Sequence, residues 1–428
     1  MTYRTVLDNG MAIVAVENTT ADIMAARIFI GAGSCRETRH NAGLAHLIAA
    51  VMTKGTADLS SMEIAEKVES VGAGLGTEAT PDYFLLSLKT VAADFDAMLH
   101  LAGDLLRYPA FPESEVELER RLTLQAIRSQ KEQPMGIAFD RLRGNLYGDH
   151  PYAISSLGVE DSVAGLTRAD LQQYHQTYFR PDNIVVSLTG CASPETAIAA
   201  VEKVFGDWKA PPTLLPPYHF PEIVVQPRHS IVPQDTQQSI VMLGYLAPSI
   251  TESIVNPDKR IDYASLKLLG TYLGNGLSSR LFVELREKRG LAYDVSAFFP
   301  TRLAMSHFVT YMGTAPQNTQ IALDGLRSEV DRLRDVRLSE EELQTAKNKL
   351  LGQYALGKQT NAQIAQLYGW YEILGLGIEF DRGFVEAISA VTSETVQASV
   401  KQYLTEPYIS LVGPDSAVNQ KLTSQSLT

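Results

Sequence analysis

The sequence predicts an α+β protein of two homologous domains, each a mostly antiparallel sheet flanked by helices, and three observations carry that expectation. The first is size, since 428 residues exceed one ordinary core at roughly 100–200 residues per domain. The second is a stretch holding six prolines, Pro211, Pro212, Pro216, Pro217, Pro221 and Pro227. Prolines at that density keep a chain extended and stop a helix from continuing. Residues 211–227 therefore read as a linker between a domain of residues 1–210 and another of residues 228–428. The third is internal repetition. LTRADLQQYHQTYF (166–179) aligns with VTSETVQASVKQYL (391–404) at an offset of 225, and FPESEVELERRLTL (111–124) with LSEEELQTAKNKLL (338–351) at 227. The strands IVVSLTG (184–190) and ISLVGP (409–414) follow the first pair in the same order. Shared order and shared offset together indicate a duplicated α+β unit, one too long for a solenoid repeat.

Within the first domain, Asn9-Gly10 sits between TVLD and MAIVAV and signals a type I′ hairpin. IMAARIFI (23–30) is a third strand. Asn41 is placed to cap a helix through AGLAHLIAAVMTK. The next helix, SMEIAEKVESV, opens at Ser61 with Ile64 three residues on, so its capping box is partial. YFLLSLKT (83–90) is a buried strand, followed by helices at about 91–107 and 113–132, the second entered at Pro112-Glu113. A helix at 167–179 and the strand NIVVSLTG (183–190) complete the domain.

The charge sum of 37 − 49 = −12 argues against a nucleic-acid partner, which needs a basic face. Two cysteines, Cys35 and Cys191, are too few for a disulfide framework or a thiolate zinc site. No apolar run approaches the ~18 residues of a membrane span. The opening MTYRTVLDNGMAIVAV has the pattern of a hairpin rather than of a signal peptide. A cytoplasmic protein is expected.

Generic catalytic signatures are scarce. The chain has no Gly-x-x-x-x-Gly-Lys, no Gly-x-Ser-x-Gly and no His-Glu-x-x-His. GAGLG (72–76) and GNG (274–276) lack dinucleotide-binding spacing. None of the eight histidines has a second His or a Cys at ligand spacing on one helix face.

GAGSCRETRHNAGLAHLIAAVMTKGT (31–56) is more informative. It resembles the signature region of the pitrilysin/insulinase family of metallopeptidases, which carries His-x-x-Glu-His after Gly-Leu-Ala and before Gly-Thr. Gly43-Leu44-Ala45-His46 and Gly55-Thr56 match. The family's general-base Glu and second zinc His correspond to Ala49 and Ala50, and its third ligand, about 76 residues on, corresponds to Ala126 in Gln125-Ala126-Ile127. Of three ligands and a base, His46 alone is present. By itself it is an ordinary packed or solvent-facing histidine. The resemblance thus implies no zinc in this chain.

The second half keeps more of the pattern. GNGLSSRLFVELREKRGLAYDVSAF (274–298) resembles the family's second signature, with Arg286 and Tyr293 seven residues apart. In active relatives such a pair lies opposite the zinc and holds substrate. Arg286 is expected to end a helix that Gly290 terminates, and Tyr293 to start the next strand. Without the resemblance, a surface Arg and a half-buried Tyr would be the plain reading. With it, the resemblance implies one half of a peptidase clamshell. The chain would be the non-catalytic subunit of a heterodimeric zinc endopeptidase, lending Arg286 and Tyr293 to a homologous partner that holds the zinc. Peptides would be the substrates. An inactive assembly subunit and a homodimeric peptide-binding module are the alternatives.

Overall fold

The computed structural model describes residues 2–418. Met1 and residues 419–428, the outer ends of the expected 1–210 and 228–428 domains, lie outside the described residues. The strands are β1 (Thr2–Val6), β2 (Ala12–Glu17), β3 (Ile23–Ile30), β4 (Gly74–Ala79), β5 (Phe84–Val91), β6 (Ile184–Gly190), β7 (His229–Pro233), β8 (Ser239–Ala247), β9 (Ala292–Phe298), β10 (Ser306–Thr314) and β11 (Tyr408–Gly413). The helices are α1 (Leu44–Val51), α2 (Ser61–Ser70), α3 (Phe95–Arg107), α4 (Glu113–Glu132), α5 (Pro134–Tyr147), α6 (Glu160–Gly165), α7 (Arg168–Tyr178), α8 (Pro194–Phe205), α9 (Ile250–Val255), α10 (Pro257–Gly274), α11 (Thr319–Asp335), α12 (Glu340–Leu356), α13 (Asn361–Ile373), α14 (Phe380–Ala390) and α15 (Ser393–Tyr403). Among the described residues, no helix is long and apolar enough to cross a membrane.

The chain packs as two compact units that are not its contiguous halves. One comprises Met1–Ile127, Ile154–His219 and Ala355–Asp381; the other comprises Arg128–Ala153, Phe220–Tyr354 and Arg382–Thr428. Residues 128–153, with α5, thus pack with the second sheet, and residues 355–381, with α13, with the first. The division between the units in the 211–227 stretch falls after His219. Hydrophobic periodicity shows that a helix has an apolar face but not which sheet receives it, so the exchange leaves no mark in sequence.

In the first unit the strand order is β1-β2-β6-β3-β5-β4. Only β2 and β6 run parallel; the other neighbours are antiparallel. Alternation along β3 sends Met24, Ala26, Ile28 and Ile30 into the main core with Leu47, Ile48 and Val51 of α1 and Leu99 and Leu106 of α3. Phe29, Leu85 and Val185 face the other way, against Trp370 and Ile373 of α13. The second unit has the order β7-β11-β8-β10-β9, with β7 and β11 parallel and the remaining pairs antiparallel. That order reproduces β2-β6-β3-β5-β4, including its single parallel join. The duplicated, mostly antiparallel α+β architecture is therefore present, with β1 added to the first copy.

The exchanged helices approach their sheets where side chains are missing. A Cβ on Gly369 of α13 would lie 2.3 Å from the Phe29 ring and 2.8 Å from Ser187 Cβ. A Cβ on Gly244 of β8 would lie 2.9 Å from Leu142 Cδ1 of α5. Gly369→Ala should therefore destabilise the protein by about 1–3 kcal/mol despite alanine's better helix propensity. Thermal unfolding tests this, and an unchanged or raised Tm would mean that α13 sits farther from the sheet.

Two local expectations are corrected. The first hairpin has Gly10 at φ +92°, Gly10 N–H on Leu7 O and Leu7 N–H on Met11 O. It is therefore a type I turn with a glycine bulge rather than type I′. Asn9, which type I′ would need at positive φ, instead donates to Phe205 O at 2.7 Å and Trp208 O at 3.0 Å. Helix α2 is capped one residue earlier than expected, by Ser60, and its box is complete. Ser60 N–H donates to Glu63 Oε2 at 2.8 Å, while Ser60 Oγ accepts Glu63 N–H.

Candidate functional site

Helix α1 carries His46, Ala49 and Ala50, and its start is built by Glu37 rather than by Asn41. Asn41 Oδ1 accepts Thr38 N–H at 2.7 Å and Thr38 Oγ1–H at 2.9 Å, which holds the preceding turn. Glu37 is 7% exposed and accepts Gly43 N–H at 2.9 Å and Ala45 N–H at 2.6 Å. A carboxylate there satisfies orphan donors of the first turn. Burial nevertheless pushes its carboxyl up to about 8, against the pull of the backbone N–H groups. A carboxyl raised in the folded state contributes stability that is fully present below pH 4.5 and lost as pH rises toward about 8. Urea unfolding at pH 5 and pH 8 should show a smaller loss of stability in Glu37→Gln than in wild type. An equal loss would assign the pH sensitivity to another group.

His46 is half-buried; burial lowers its pKa and the charge of Glu119 opposes that shift. Glu119 lies on α4, 3.1 Å from Lys54 Nζ. Ala49 is buried, and its carbonyl accepts Thr77 Oγ1–H of β4 at 2.7 Å. Ala50 is half-buried and Ala126 exposed. Ala126 follows Glu119 by seven residues, two turns along the same face of α4. The structure thus places an imidazole, a carboxylate and a lysine ammonium where the resemblance implies a metal. A catalytic zinc needs about three protein ligands, and His46 and Glu119 supply two, one of them already paired with Lys54. Among the described residues, no group of three or more His, Cys, Asp or Glu could hold a metal ion. The residues present do not fit a catalytic zinc. Sequence reasoning missed Lys54 and Glu119, although the two-turn spacing between Glu119 and Ala126 was visible.

Arg286 and Tyr293 lie in the second unit, in a segment of unusual backbone. The turn Phe282–Glu287 is a π-helix rather than the end of an α-helix, with Lys288 N–H on Val283 O at 3.0 Å. Gly290 follows at φ +62°, where Gly290 N–H reaches Arg286 O at 3.1 Å and Leu291 N–H reaches Leu285 O at 2.9 Å. This is a helix-terminating glycine turn, as expected, but wound one residue wider. Next, β9 pairs Ala292 with Thr314 and Asp294 with Gly313, leaving Tyr293 as the extra residue of a β-bulge. Three departures from regular geometry therefore fall between Phe282 and Tyr293. Arg286 is exposed, its guanidinium carbon 4.9 Å from the Phe282 ring centre. Tyr293 is 63% exposed rather than half-buried. Bulges and π-turns re-aim side chains and collect at functional sites, and here they deliver a guanidinium and a phenol to solvent from an edge strand. GNG (274–276) closes α10 rather than forming a cofactor loop, and GAGLG (72–76) leads into β4.

The comparisons with known proteins agree with the fold. Residues 13–159 match the family model described as Insulinase (Peptidase family M16), and residues 165–350 match Peptidase M16 inactive domain. The chain is 26% identical to the uncharacterized zinc protease YmxG of Bacillus subtilis, over 97% of this chain and 98% of that one. It is 27% identical to an uncharacterized zinc protease of Mycobacterium leprae, over 96% and 91%. A crystal structure of a peptidase M16 inactive domain from Pseudomonas fluorescens superposes with a TM-score of 0.87 at 26% identity, covering 96% of this chain and 98% of that one. A protease from Helicobacter pylori shares the fold, with a TM-score of 0.89 at 21% identity over 97% and 99%. The chain belongs to the insulinase, or M16, family of peptidases.

Proposed function

We propose that this chain is the non-catalytic member of a two-chain peptidase, presenting Arg286 and Tyr293 to a peptide held by a homologous partner with an intact His-x-x-Glu-His. The observation that carries this reading is the contrast between the two signatures. The metal positions are reduced to His46 beside a Lys54–Glu119 ion pair, whereas Arg286 and Tyr293 stand exposed on a π-turn and a bulge. A scaffold gains nothing from an irregular edge that exposes a phenol. A substrate-holding subunit does. A guanidinium can grip a peptide carbonyl, and a phenolic hydroxyl can donate to the oxygen that gains negative charge when that carbonyl is attacked. This chain's part is binding and charge stabilisation; the metal belongs to the partner.

The test is reconstitution. The purified chain should cleave no peptide alone, and mixing with a homologous zinc-motif chain should produce cleavage of a quenched fluorescent peptide that neither shows separately. Cleavage by this chain alone would refute the reading. A complex that forms without gaining activity would favour an assembly role, and a self-paired chain that binds peptide would favour a homodimeric binding module.

A further inference from the structure

Within the second unit, α10 and β9 line an open, largely polar pocket of about 440 Å³. Lys267, Gly270, Thr271 and Gly274 follow one another at helical spacing along its α10 wall, and Ser296 of β9 and Gln353 of α12 face them. Gly270 keeps the cavity open, because a Cβ there would meet nothing nearer than Phe299 N at 3.9 Å. At Gly274 the wall closes, with Ala297 N only 1.9 Å from the position a Cβ would take.

Lys267 is the unusual group. Its Nζ donates to Phe299 O at 2.9 Å and lies 5.2 Å and 5.3 Å from the ring centres of Phe299 and Tyr263. Among the described residues it has no ion-pair partner, and the charge it feels is that of Arg302. Burial and that second cation lower its pKa to about 7, so near neutrality much of the population is free amine. One N–H is occupied by the Phe299 carbonyl. Lysines made nucleophilic elsewhere share these features, namely desolvation and a neighbouring cation.

We infer that this cavity captures small polar aldehydes covalently, with Lys267 as the nucleophile. The amine nitrogen adds to the carbonyl carbon, forming a C–N bond while the carbonyl oxygen takes up a proton to give a carbinolamine. Loss of that oxygen as water, with the second amine proton, leaves a neutral imine; no electrons are gained or lost. Thr271 Oγ1 and Ser296 Oγ donate to Lys267 O at 3.3 Å and Gly274 O at 2.9 Å, which leaves their oxygens to accept hydroxyl groups of the captured molecule, and the volume suits a chain of roughly three to six carbons. No acid lines the cavity, so a neutral hydroxyaldehyde fits better than a cationic one. This chemistry is separate from peptide cleavage and does not depend on a partner chain.

The test uses the full chain, glyceraldehyde and cyanoborohydride at pH 7, followed by peptide mass mapping. The reductant converts the imine to a stable secondary amine. Lys267 should be alkylated at least about tenfold faster than the exposed Lys67 and Lys203, given its lowered pKa, and its rate should saturate with aldehyde. Gly270→Leu should fill the cavity and suppress labelling of Lys267 while leaving Lys67 unchanged. Should that variant misfold, excess glycerol must protect Lys267 in the wild type instead. Labelling no faster than at Lys67, a rate that never saturates, or labelling that survives glycerol would each overturn the inference.

Discussion

Tyr293→Phe should lower kcat of the reconstituted peptidase about 10²–10³-fold, roughly 3–4 kcal/mol, with little change in KM. A hydroxyl that donates to the former carbonyl oxygen acts mainly once negative charge has developed there, so its loss is felt in the transition state rather than in binding. Arg286→Ala should raise KM about tenfold as well as lower kcat, because a guanidinium on a substrate carbonyl also binds the ground state. Neither change should disturb folding. Tyr293 is the extra residue of a bulge and 63% exposed, Arg286 is exposed, and surface substitutions away from buried features usually stay within about ±0.5 kcal/mol. Steady-state kinetics beside a thermal melt separates the cases. Mutants with wild-type kinetics would make both residues structural and leave the assembly role standing.

The parts of the fold that were legible in sequence are those set by local pattern. The buried strand expected at 83–90 became β5 at Phe84–Val91, and the paired repeats correspond to two sheets of one strand order. Details that depend on distant partners were not legible. Asn9-Gly10 promised type I′, but two carbonyls near the end of α8 hold the Asn9 side chain. Asn41 had the chemistry of a cap, yet Glu37 reaches the first turn of α1. The packing of α5 and α13 depends on Gly244 and Gly369, whose meaning appears only against Leu142 and Phe29. In the site, the alanines at 49, 50 and 126, where the resemblance puts a base and two ligands, could be read directly from the sequence. The π-turn before Gly290 and the bulge at Tyr293 were not, because backbone irregularities have no residue signature of their own.

Rebuilding the ligand set should turn a chain with no tight zinc into one holding about one ion. Wild type, purified without added metal, should carry well under one zinc per chain, since methyl groups at 49, 50 and 126 offer no lone pair to a cation. Ala50→His places a second imidazole at i, i+4 from His46 on α1, at a half-buried position. Ala126→Glu adds a carboxylate on the exposed face of α4, in line with Glu119. Ala49→Glu restores the general-base position beside them. Restoring the two missing ligands beside His46 should raise zinc affinity on the order of 10³-fold or more. Lys54 opposes this, because its ammonium sits 3.1 Å from Glu119 and repels a dication. Adding Lys54→Ala should therefore tighten binding further, and that increment measures how far the ion pair substitutes for the metal's charge. Metal analysis and chelator competition read both effects. One tightly held zinc in the wild type, lost on His46→Ala, would overturn the reading of this site. Failure of the rebuilt chain to bind zinc would show instead that α1 and α4 have moved apart from a metal-binding geometry.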